Sequence, residues 1–118
     1  MKDFKELEVW QKSVDFVLNI YETSKSFPHE EMFSLTNQMR RSAISIPSNI
    51  SEGFSRNSTK EFIQFLYIAL GSSAELETQI LISHKLGYLI DPAKLIDNLT
   101  TIKKMLNTLI SSLKGKTK

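Results

Sequence analysis

Apolar residues recur at three- and four-residue intervals in four stretches of this chain, and each stretch is bounded by residues that start or stop helices. The first is expected from about Asp3 to Ser26. Asp3 and Glu6 have capping-box spacing, and Leu7, Trp10, Val14, Val17, Leu18 and Tyr21 form one stripe that ends at Phe27-Pro28. The second begins between Glu30 and Leu35, turns Leu35, Met39, Ala43, Ile46 and Ile50 inward, and stops near Gly53, where a residue without a side chain suits a left-handed C-terminal position. Ser58 and Glu61 make the clearest capping box. From there Phe62, Phe65, Leu66, Ala69, Ser73, Leu76 and Ile80 carry one stripe to Leu86, and Gly87 ends the helix. Asp91-Pro92 opens the fourth, with Leu95, Leu99, Ile102, Leu106, Leu109 and Leu113 facing the core.

Helices of this length span roughly 30 to 42 Å each. Short connections make neighbours antiparallel, so the expected fold is all-α, an up-down-up-down four-helix bundle in a single domain over residues 1–118, with a loose tail from Gly115 to Lys118. The length, 118 residues with 41% hydrophobic content, suits one core rather than two.

The segment Arg40 to Gly53 interrupts this regularity, because Pro47 and several serine and asparagine residues lie inside the second apolar stripe. A proline in a helix interior costs roughly 3 kcal/mol and frees the carbonyl four residues back, here that of Ala43. Packing or rerouted polar contacts must offset that. Folding helices two and three into a hairpin sets Arg40 level with Glu75, and Ser42, Ala43 and Ser45 opposite Ser73, Ser72 and Leu70, with Gly71 beside them. Small residues then meet small residues, and the two backbones can approach closely. Arg40, Arg41, Ser45, Asn49, Glu52, Ser72 and Glu75 are read as a structural polar network that fixes helix register.

Candidate chemistry changes the picture little. The two histidines, His29 and His84, lack the carboxylate three residues before them that a di-iron bundle needs. Gly-rich phosphate loops, HExxH and the nucleophile elbow are missing from the sequence, and Glu75 and Glu77 point about 200° apart on a helix. No catalytic residue, metal ligand or cofactor site is expected, and the chain is read as a non-enzyme. The absence of cysteine excludes thiolate metal sites and accords with a reducing cytoplasm, and no apolar run reaches membrane-spanning length.

The net charge is only +2. Its distribution is more informative. One end of the expected bundle collects seven basic residues, Lys2, Lys5, Arg56, Lys60, Lys114, Lys116 and Lys118, against Asp3, Glu6, Glu52 and Glu61. The other end is acidic. Lys2, Lys5, Arg56 and Lys60 are therefore the candidates for RNA or DNA contact, through phosphate attraction that weakens with salt. The alternative is a protein-interaction adaptor, docking a partner or sister subunit through apolar residues off the core stripe such as Val9, Phe16 and Ile20.

The stretches FKELEVWQKS, LTNQMRRSAISIPSNISEGFSR and KEFIQFLYIALGSSAELETQI resemble the four-helix-bundle proteins encoded in intervening sequences of bacterial 23S ribosomal RNA genes. The resemblance covers roughly Phe4 to Leu89. It implies a homo-oligomer, a pentamer, in which helix two passes through Pro47 as a kinked helix. It also implies similarity to the accessory variability proteins of diversity-generating retroelements, which bind nucleic acid and a reverse transcriptase. Arg41, Pro47, Asn49, Glu52, Gly53, Ser72 and Glu75 match the family's pattern and are implied to serve structure or assembly.

Overall fold

The structure, a computed structural model, describes residues 2–116. Four helices account for most of it: α1, Glu8–Ser24; α2, Leu35–Phe54; α3, Thr59–Lys85; and α4, Ala93–Lys116. They form an elongated bundle of 48 × 23 × 20 Å. Each helix packs on its neighbours in chain order, and α4 closes back on α1; among the described residues the diagonal pairs α1 with α3 and α2 with α4 stay apart. The contacts that join α2 to α3 run in opposite chain directions: Gly53 lies by Phe62 and Phe65, Ser45 by Ser72, and Met39 by Ser83.

Local chemistry sets the helix ends. The Ser58 hydroxyl accepts from the Glu61 amide at 3.1 Å and donates to its carboxylate, so α3 starts where the sequence predicts. At its other end Gly87 has φ +83°. The Gly87 and Tyr88 amides donate back to the carbonyls of His84 and Ser83, the paired bonds that close a helix through a left-handed glycine. The Asp91 carboxylate accepts from the Ala93 amide at 2.9 Å and opens α4. That helix runs through Gly115 to Lys116, where a loose tail was expected; Thr117 and Lys118 lie outside the described residues.

The first helix departs from expectation in two ways. Asp3 caps the Lys5 amide, starting a single 3-10 turn over Phe4–Glu6, and Leu7 is extended before α1 begins. The helix is also rotated about its axis. Val9, Ser13, Phe16, Ile20 and Ser24 face the core, while Leu18 is 63% exposed and Trp10, Val14 and Val17 are half-buried. Val9, Phe16 and Ile20 therefore form no outer docking stripe. The inward face escaped notice because serines interrupt it, and those serines are small enough to bury once their protons return to their own helix. Ser13 donates to the Trp10 carbonyl and Ser24 to that of Ile20. Ser73 and Ser83 do the same in α3, bonding to Ala69 and Gln79.

Two glycines depart from their expected roles. Gly53 is inside α2, and its only task is contact: a Cβ there would meet the Phe65 Cβ at 2.6 Å. Gly71, expected between the helices, is exposed, and a Cβ on it would meet nothing within 4 Å. In α4, Ile110 is buried while Leu109 and Leu113 are half-buried against the core. Helix α2 continues through Pro47, whose ring is buried among the core residues of that helix.

Candidate nucleic-acid interface at the basic end

The 3-10 turn folds the N-terminal segment onto the C-terminal half of α2. Phe4 meets Trp10 edge to face at 5.3 Å, and the Gln11 side chain donates to the Lys5 carbonyl at 2.8 Å. On α2 and its C-cap, Ser48, Ser51 and Ser55 fall on one face by helical spacing, and the hydroxyls of Ser51 and Ser55 return to helix carbonyls. Together Phe4, Ser48, Ser51, Glu52, Ser55 and Arg56 line an open depression of about 410 Å³.

Of the four candidate contacts, Arg56 lines this depression and Lys5 is the chain neighbour of Phe4. Both carry counterions. Arg56 donates to Glu52 at 2.9 Å and lies over the Phe65 ring, while Lys5 pairs with Asp3 at 3.4 Å. These pairs are open to solvent, the side chains being 43% and 54% exposed in the first and 63% and 42% in the second. Such pairs are worth about 1 kcal/mol or less. A phosphate can therefore replace either carboxylate at small cost. Lys2 and Lys60 are exposed. Lys114 reaches the Tyr67 hydroxyl at 2.6 Å, Lys116 is exposed, and Lys118 lies outside the described residues.

The seven residues expected to share one polar network separate into distinct groups. Ser45 and Ser72 hydrogen-bond across α2 and α3 at 2.8 Å, and the Asn49 amide donates to both the hydroxyl and the carbonyl of Ser45. This part lies beside Pro47. Arg40 turns away from Glu75 toward α1, where it donates to Ser24 Oγ at 2.9 Å and to the Tyr21 carbonyl, and it covers the Tyr21 ring at 4.5 Å. A cation against the last turn of α1 also meets the negative end of that helix. Glu52 belongs to the basic end, and Arg41 and Glu75 are exposed. Sequence reasoning missed Ser24 and Tyr21 as partners of Arg40; the signal was their place near the helix end closest to Arg40 in an antiparallel pair.

Among the described residues, no three histidine, aspartate or glutamate side chains converge as metal ligands, and no helix is long and apolar enough to cross a membrane.

An all-helical, four-helix bundle is the class that this fold defines. Residues 5–108 match the family described as 23S rRNA-intervening sequence protein, and the chain belongs to that family. It is also similar to a crystal structure from Bacteroides thetaiotaomicron, titled as a protein with unknown function from the S23 ribosomal protein family. The identity is 29% and the TM-score 0.80, covering 87% of this chain and 95% of that one. No curated protein matches the chain.

Proposed function

We propose that this chain is a non-enzymatic, homo-oligomeric helical scaffold that engages RNA or DNA phosphates through its basic end. The observation that carries the reading is the group of cations: Lys2 and Lys60 are exposed, and the ion pairs of Lys5 and Arg56 are open to solvent beside a hydroxyl-lined depression. Exchange of a weak carboxylate partner for a phosphate releases counterions from the nucleic acid, and this release drives binding without a sequence code. One bundle offers few such contacts. Assembly would multiply them on one face, and the exposed Ile68, Leu81 and Ile82 supply apolar surface that sister subunits would cover.

Light scattering and a salt-titrated RNA binding assay test the two halves of the proposal. The expected particle is a multiple of the 13.5 kDa chain. For about four phosphate contacts the logarithm of affinity falls against the logarithm of salt with a slope of roughly −3. Charge reversal at Lys2, Lys5, Arg56 and Lys60 flattens that slope. A monomer that binds no RNA, or binds it independently of salt, defeats the reading.

A further inference from the structure

The seam between α1 and α4 is the most sparsely packed of the four helix pairs, and three surface depressions follow it end to end. The first, about 310 Å³, and the second, about 210 Å³, share Asn19 and Asn98. The second and the third, about 470 Å³, share Thr101. Shared walls make them one groove, roughly 25 Å long if it follows α1 over about 17 residues. Its most voluminous part is apolar, with the half-buried Met105 and Leu109 in the wall and the buried Leu7 and Val9 behind them.

The banks are charged with opposite sign. Along α1, Glu8, Asp15 and Glu22 recur at seven-residue spacing with one cation, Lys12, among them; along α4 stand Lys94 and Lys104, with one anion, Asp91, just before the helix. The ion pairs among the described residues do not cross the seam: Glu22 holds Lys25, while Glu8, Asp15, Lys94 and Lys104 have no ionic partner. A heptad line of carboxylates fits a helix carrying basic residues at the same repeat beside an apolar stripe.

We propose that this groove seats an amphipathic helix from another protein, its apolar side chains on Met105 and Leu109 and its basic edge along Glu8, Asp15 and Glu22. A second copy of this chain is a poorer occupant. The exposed face of α3 has a carboxylate, Glu75, and no lysine or arginine between Lys60 and Lys85, so it lacks the basic edge. Two seams placed face to face would set groove against groove and leave the apolar wall uncovered. The groove shares no lining residue with the Arg56 depression, and the proposal does not depend on nucleic-acid binding.

Fluorescence anisotropy on the full chain tests this with two synthetic helical peptides of about three heptads. Both carry a leucine stripe; one is flanked by lysines and the other by glutamates. The lysine peptide is expected to bind at least about tenfold more tightly, a gap that closes with salt. Glu8→Lys with Asp15→Lys, both at exposed positions, should reverse the preference, and Met105→Lys should weaken the lysine peptide at least about tenfold. Tyr67→Ser, on α3, should leave binding unchanged. Equal affinity for the two peptides, no binding of either by the wild-type chain, or no reversal in the double variant overturns the proposal. So does light scattering in which the double variant dissociates a wild-type oligomer, because a second copy would then cover the seam.

Discussion

Gly53 of α2 lies so close to Phe65 of α3 that a methyl group on it would stand 2.6 Å from the phenylalanine Cβ. Phe62 closes the same space, with its Cδ1 at 2.9 Å and its carbonyl oxygen at 3.2 Å. Gly53→Ala would gain up to about 1 kcal/mol of helix propensity and lose about 1 to 3 kcal/mol to overpacking. Overpacking should win, because the Phe65 Cβ is tied directly to its backbone. Gly71→Ala is expected to have the opposite sign, raising stability by up to about 1 kcal/mol, since nothing stands within 4 Å. Urea unfolding of both variants checks this. A stabilised Gly53→Ala protein would show that the two helices are further apart.

Phe16 is 2% exposed and Leu18 63% exposed, on opposite faces of α1. Phe16→Ala is therefore expected to cost about 3 to 5 kcal/mol, as removal of a packed aromatic ring does. Leu18→Ala should stay within about 0.5 kcal/mol. Thermal or chemical melts of the two proteins measure the rotation of α1, and equal losses would contradict it.

The Ser45 and Ser72 hydroxyls meet at 2.8 Å, with the Asn49 amide also on Ser45. Removing one hydroxyl leaves its partner half-buried and underused, whereas removing both does not. A double-mutant cycle with Ser45→Ala and Ser72→Ala should return a coupling of about 0.5 to 1.5 kcal/mol. Additive losses would mean that the two serines serve as small spacers only.

The Tyr88 hydroxyl donates to Glu31 at 2.8 Å and ties the α3–α4 turn to the α1–α2 connection. That bond, followed by desolvation and the charges of Glu31 and Glu30, raises the phenol above its ordinary 10.0. The folded protein thus holds this proton more tightly than the unfolded chain does. The stability it contributes is whole below pH 10 and is lost as pH climbs through the raised folded value. Phenolate absorbance should show a late-titrating tyrosine that vanishes in Tyr88→Phe. The stability gap between wild type and variant should also close in strong alkali. A Tyr88 titrating at the ordinary value removes the basis for both expectations.

At the candidate interface, the expectation that Lys2, Arg56 and Lys60 share one end rests on chain connectivity, because short turns return the chain to the same end of a bundle. What could not be read was their immediate company. Glu52 bonds to Arg56 across one helical turn, but the packing of Phe4 against α2 depends on the 3-10 turn that Asp3 sets up. The groove between α1 and α4 was equally hidden, since it arises from how far apart two helices settle, and no residue encodes that alone.

The amino-acid sequence by itself determined the four helices and most of their ends, because capping and turn chemistry act within four or five residues: Ser58 with Glu61, Asp91 with Ala93, and Gly87 with His84. The inward faces of α2, α3 and α4 could also be read from their apolar spacing, but only the tertiary structure decided which face of α1 is inside. Helix α1 carries two apolar stripes of similar merit, and the choice between them depends on what α2 and α4 can pack against. Arg40 likewise had two reachable helices. It took the one where Ser24 and a terminal carbonyl could accept its protons, a preference that exists only once the helices are side by side.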